Sequence, residues 1–132
     1  MQRVIVIDDD DSVRDLMVRI LVRAGYEVAP AKGGRDGVAL CRKQPPDLIV
    51  TDIIMPDQDG IETILQLRRL APSIPIIAIS GGGRANLSGF LDAAHKLGAN
   101  SVLQKPFKPV DLLAAITELL GVMPEKQHPV AA

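Results

Sequence analysis

The chain has 132 residues, 47% of them hydrophobic, with 15 Lys and Arg against 16 Asp and Glu for a formal charge of −1. This length accommodates one domain with a real core but not two ordinary ones, and the balanced charge argues against generic binding to nucleic acid or an anionic membrane. The single cysteine, Cys41, excludes an intramolecular disulfide and suits a reducing compartment.

In chain order, Met1-Gln2-Arg3 leads directly into Val4-Ile5-Val6-Ile7, without the layout of a signal peptide. No apolar run approaches the ~18 residues of a membrane span, so a soluble, cytoplasmic protein is expected. Val4–Ile7 reads as a first strand, and it runs straight into four aspartates, Asp8 to Asp11. Val13, Leu16, Met17, Ile20 and Leu21 then follow the i, i+3, i+4 spacing of an amphipathic helix. Asp10 or Asp11 is its expected N-cap, and Gly25 marks its C-terminal end.

Tyr26–Ala29 is a weaker second strand. A helix from about Arg35 to Lys43 follows, with Cys41 as a packing residue and Pro45-Pro46 as its stop. Leu48-Ile49-Val50 predicts the third strand, followed by Asp52. The next helix runs from about Gly60 to Leu70, with Ile61, Ile64 and Leu65 on one side.

Ile76–Ile79 predicts the fourth strand, followed by Ser80. A helix carrying Leu87, Phe90, Leu91 and Ala94 ends at Gly98, with His95 as a solvated or boundary residue. Ser101-Val102-Leu103 is a weaker fifth strand, after which come Lys105 and Pro106. Pro109 suits the first position of a last helix, with Leu112, Ile116, Leu119 and Leu120 facing inward. Beyond Gly121, residues 122–132 lose periodicity; they include His128, to which no role is given. The expected domain is therefore 1–121, with a frayed tail or the start of a linker after it.

The strand candidates are continuously apolar rather than alternating, as in strands covered on both faces. Five alternations of strand and helix predict a doubly wound α/β domain with a parallel sheet. In such a sheet, ligands bind beyond the carboxyl ends of the strands. Asp8 and Asp9, Asp52, Ser80 and Lys105 follow four different strands, so they are expected to converge.

Two carboxylates about 5 Å apart repel by roughly 3 kcal/mol at an effective dielectric near 20. A hard divalent cation relieves that repulsion. Mg²⁺ takes one or two carboxylates, keeps waters and completes its shell with a phosphate oxygen. Lys105 and Ser80 would then meet other oxygens of the same phosphoryl group. Each residue taken singly reads as an ordinary loop acid, serine or surface lysine; their joint placement carries the inference.

At this point the sequence resembles the receiver (CheY-like) domain of bacterial two-component response regulators. The resemblance spans about residues 3 to 121, through V-I-V-I-D-D, D-L-I-V-T-D-I-I-M-P-D-Q-D-G, I-I-A-I-S-G and K-P-F. It implies a flavodoxin-like (βα)5 sandwich with strand order 2-1-3-4-5. It also implies Asp52 as phosphoacceptor, and Asp8, Asp9, Asp52 and the backbone carbonyl of Ile54 as ligands of Mg²⁺ or Mn²⁺. Ser80 matches the switch hydroxyl, Lys105 the family's lysine, Pro106 its cis proline, and Met55-Pro56 and Gly60 the turn after the acceptor.

The implied phosphodonor is a phosphohistidine on a histidine kinase or histidine phosphotransfer protein, and the implied output is a downstream protein target. Neither nucleic acid nor membrane is expected as a partner of this domain. An aspartate is ordinarily ionised at neutral pH and attacks without a general base. The protein would therefore be a switch that modifies itself, not a turnover enzyme.

Two departures stand out. Val102 occupies the place where the family usually has Tyr or Phe, so a rotating aromatic switch is not expected. Gly81-Gly82-Gly83-Arg84 has the setting of a phosphate loop but neither the G-x-x-x-x-G-K-[ST] nor the G-x-G-x-x-G pattern. The glycines are read as a loop that leaves the pocket accessible. The competing class is a Mg²⁺-dependent phosphohydrolase or a non-signalling flavodoxin-like binding module. Aspartyl-nucleophile hydrolases commonly carry a second aspartate two residues after the first, and here Ile54 stands there. An output face is expected on the fourth helix, fifth strand and last helix.

Overall fold

A computed structural model describes residues 2–53, 60–80, 92, 94–96 and 98–121. Five strands form one sheet: β1 (Arg3–Ile7), β2 (Glu27–Ala31), β3 (Leu48–Asp52), β4 (Ile76–Ser80) and β5 (Ser101–Gln104). All neighbours pair in parallel, in the order β2-β1-β3-β4-β5. The helices are α1 (Asp11–Arg23), α2 (Gly34–Lys43), α3 (Gly60–Leu70) and α4 (Pro109–Leu120). Residues 92 and 94–96, between β4 and β5, are also helical.

Unbroken apolar strands make sense in this sheet because side chains alternate between two covered faces. Ile5, Ile7, Ile49 and Ile76 enter a core layer with Val38 and Cys41 of α2 and Ile64 and Leu67 of α3. Val4, Val6, Val50 and Ile77 enter the other, with Met17 and Leu21 of α1 and Leu112 and Ile116 of α4. Full burial of each such side chain contributes about 1.5–3 kcal/mol. Cys41 is the packing residue expected of it.

The ends of α1 follow from its sequence. Asp10 Oδ1 accepts the N–H groups of Ser12 (2.9 Å) and Val13 (3.2 Å), so Asp10 is the N-cap and Asp11 the first helical residue. Gly25, at φ 103°, provides the left-handed residue that turns the chain toward β2. In α4, Pro109 occupies the first turn, and the Asp111 carboxylate accepts the N–H of Lys108 at 3.0 Å.

Two inward assignments are corrected. Leu16 is 49% exposed and Leu65 39%, whereas Thr63 and Leu67 take the buried face of α3 with Ile64. Each lies at the margin of its helix's apolar stripe, where periodicity alone does not fix the side. Strand ends also shift, since Asp52 and Ser80 are the last residues of β3 and β4 and do not follow them. β2 is displaced C-terminally, so Tyr26 precedes it as a buried core residue.

On the outer strand β2, the Glu27 N–H donates to Gln2 and the Ala31 carbonyl accepts from Asp8, which turns both residues toward β1. Val28 and Pro30, one residue out of phase with them, direct their backbone groups away from the sheet.

Ile54, Met55-Pro56, Gly81 to Arg84, Leu87, Phe90, Leu91, His128 and the tail 122–132 lie outside the described residues. His95 is helical and exposed.

Candidate functional site

The strand order reverses at β1, which has β2 on one side and β3 on the other. That reversal opens a crevice beyond the carboxyl ends of β1 and β3. Asp8 and Asp9 leave the end of β1, and Asp52 ends β3. Asp8 is fully buried, Asp52 is 4% exposed and Asp9 is exposed. One carboxylate oxygen from each of the three lies within 4.8 Å of the others.

Lys105 comes from the far side of the sheet, one residue beyond β5. Its Nζ lies 2.9 Å from Asp8 Oδ2 and 3.2 Å from Asp52 Oδ2. Burial acts to lower the lysine's pKa, but hydrogen bonds and charges from Asp8 and Asp52 outweigh it, and the net shift is upward. The ammonium is therefore fixed as a charge between the two strand ends. The Lys105 N–H donates to the Ser80 carbonyl at 2.7 Å, which sets the lysine's backbone beside the end of β4. The Lys105–Pro106 peptide is cis.

The site thus unites Asp8, Asp9, Asp52 and Lys105, with buried Ser80 at the adjoining strand end. Ile54 lies outside the described residues. Three carboxylates against one ammonium leave a formal charge of −2. Oxygens sharing one Mg²⁺ at about 2.1 Å lie roughly 3–4 Å apart. The donor set, all oxygen and already gathered to nearly that spacing, fits a hard dication.

Gly60 shapes the surroundings of Asp52 through contact, not through a left-handed backbone angle. A Cβ there would collide with the backbone of Ile53, the residue after Asp52, and the Gly60 N–H donates to the Ile53 carbonyl at 3.1 Å. Only glycine lets α3 begin so close to β3.

Two arginines escaped the sequence reading. Arg14 Nη1 donates to the Asp8 carbonyl at 2.9 Å, and Arg14 Nη2 meets Asp11 Oδ1 at 2.5 Å. Its signal was the i, i+3 spacing from Asp11 at the end of the acidic run. Arg68 donates to the carbonyls of Gly98, Ala71, Pro72 and Ile74 and to Asn100 Oδ1, tying the end of α3 to the approaches of β4 and β5. Backbone acceptors leave no mark in a sequence.

Comparison with known proteins gives a consistent answer. Residues 4–117 match the response regulator receiver domain family. The chain is 33% identical to the chemotaxis protein CheY of Thermotoga maritima over 119 residues, covering 89% of this chain and 97% of that protein. It is 38% identical to response regulator MprA of Mycolicibacterium vanbaalenii over 118 residues, covering 89% of this chain but spanning only 50% of MprA. Among solved structures, chemotaxis protein CheY4 of Vibrio cholerae superposes with a TM-score of 0.83 at 30% identity, covering 91% of this chain and 99% of CheY4.

Proposed function

The chain belongs to the response regulator receiver family, and from that premise we propose that Asp52 is its phosphoacceptor in a two-component pathway. The observation that carries this reading is the seating of Lys105 Nζ between Asp8 and Asp52, 2.9 and 3.2 Å away, at the meeting of three carboxylates.

The donor is a phosphohistidine of a histidine kinase or histidine phosphotransfer protein. An Asp52 carboxylate oxygen attacks phosphorus, forming an O–P bond as the P–N bond to the imidazole breaks. Lys105, held as an ammonium, meets one oxygen of the transferred group and offsets its charge. Ser80, at the end of the neighbouring strand, hydrogen-bonds another. Asp8 and Asp9, with Asp52 and the Ile54 carbonyl, would hold Mg²⁺ or Mn²⁺. The bound cation supplies further charge neutralisation at the phosphoryl oxygens.

Asp8 is already engaged at both carboxylate oxygens, by the Asp10 N–H at 2.9 Å and by Lys105. It therefore also serves to aim the ammonium. Because the acceptor belongs to the protein itself, the reaction changes the state of the chain, and the product acts on a downstream protein. This is a switch and not a turnover enzyme. Family membership does not favour the phosphohydrolase or binding-module alternative. No described helix is long and apolar enough to cross a membrane; a cytoplasmic location remains part of the proposal.

The test is phosphoryl uptake from acetyl phosphate, or from a cognate kinase, with Mg²⁺ present. Wild type acquires one phosphoryl group and Asp52→Asn acquires none, as read by intact-protein mass spectrometry. Undiminished labelling of the variant would remove Asp52 from the role.

A further inference from the structure

Asp8 is held at each of its polar atoms. Its N–H donates to the Ala31 carbonyl at 3.1 Å, and its Oδ1 accepts from the Asp10 N–H at 2.9 Å. Its Oδ2 faces Lys105 Nζ at 2.9 Å, and its carbonyl accepts from Arg14 Nη1 at 2.9 Å. The first three holds come from β2, from the loop itself and from the segment after β5. The fourth comes from α1.

That last hold and the Asp10 N–H bond lie on either side of Asp9. The Asp8 carbonyl belongs to the peptide group that joins Asp8 to Asp9, so the guanidinium fixes the plane from which the Asp9 side chain departs. Asp9 itself is exposed. Arg14 is anchored in turn: its side chain is 16% exposed, and its other nitrogen meets Asp11 Oδ1. The planar fork thus links the first turn of α1 to the last peptide of β1, a geometry that a lysine does not reproduce.

Building on the reading of Asp8, Asp9 and Asp52 as a cation site, we infer that Arg14 is a positioning residue that aims Asp9 at the bound dication. Charge and positioning act here with opposite sign. A guanidinium beside the site repels a dication, so an arginine acting through charge alone would weaken cation binding, and its removal would tighten it. An arginine that aims a ligand strengthens binding, and its removal loosens it.

The experiment is a Mn²⁺ titration of the whole chain, reading free Mn²⁺ by electron paramagnetic resonance, with circular dichroism to verify folding. Arg14→Met is expected to weaken Mn²⁺ binding about tenfold. Arg14→Lys keeps the charge and loses the fork, so it is expected to weaken binding by a smaller factor. A charge-only role predicts no change for Arg14→Lys, which keeps the inference open to refutation even where Arg14→Met fails to fold.

Asp9→Asn separates the two levels. If wild type binds no Mn²⁺, the cation site and the inference fall together, and if wild type and Asp9→Asn bind it alike, Asp9 is no ligand and the inference falls. If Asp9→Asn loses binding while Arg14→Met binds as tightly as wild type or tighter, or Arg14→Lys leaves binding unchanged, Arg14 alone loses its role.

Discussion

Lys105 shows how much one side chain sets at this site. It is the counter-ion of a fully buried side chain and of one that is 6% exposed, while its own side chain remains 19% exposed. Removing one partner from a buried ion pair leaves the other charges uncompensated. Lys105→Met is expected to lower unfolding stability in divalent-free buffer by about 2–3 kcal/mol, the part exposure of the lysine keeping the loss at the lower end for such pairs. Millimolar Mg²⁺ should then recover more stability in the variant than it adds to wild type. The wild-type gain is roughly 1.4 kcal/mol at ten times the dissociation constant. Urea denaturation with and without Mg²⁺ measures both, and equal gains in the two proteins would count against a shared site. The acids and the lysine were legible in the sequence because they stand at the ends of three separate apolar runs. Arg14 and Arg68 were not, because most of what they bind is main chain.

At the scale of elements, the junction of β3 and α3 is a tight constraint next to Asp52. Gly60 lies so close to the Ile53 backbone that even a methyl group has no room. Gly60→Ala is expected to cost about 2–3 kcal/mol, because α3 must retreat from the strand end. Phosphoryl uptake should slow with it, and a variant with wild-type urea midpoint and labelling rate would refute the steric account. The sequence located Gly60 through its place in a motif without a reason for glycine there; the close approach of α3 to the end of β3 is visible only once the two elements are packed. Leu16 and Leu65 carry the same lesson, since the stripe's spacing was right and its edge was decided by what each helix meets. The strand ends were legible to within a residue or two because Ile, Val and Leu cluster where both faces are covered. β2 and β5 were the weaker readings because they are the edge strands, and no residue of β5 is fully buried. Val102, partly buried against one core layer, fills with a small aliphatic side chain the place of the family's aromatic.

For the whole molecule, alkaline pH tests several buried groups together. Burial raises the pKa of Cys41, against a smaller lowering by Arg42, and that of Tyr26, against a smaller lowering by a hydrogen bond with Thr117. Lys105 is also raised, its two carboxylate partners overcoming the effect of burial. A group with a raised folded pKa contributes stability that is complete below its unfolded pKa and lost as pH climbs through the folded value. Stability should therefore fall above about pH 8.5, where an unfolded thiol ionises, and more steeply above roughly pH 10, where tyrosine and lysine follow. Urea midpoints from pH 7 to 11 measure this. Cys41→Ala should flatten the first part of the decline and Lys105→Met the last. A midpoint that climbs through this range would contradict the burial of Cys41 and Tyr26 and the pairing of Lys105 with its carboxylates.

Pro30 carries a consequence for how copies of this protein meet. Where the perimeter strand β2 turns its main chain outward, proline leaves a gap in the row of donors that an incoming strand would need. Proline there disfavours a neighbouring chain adding to that rim as a further strand, which blunts growth of the sheet on the β2 side.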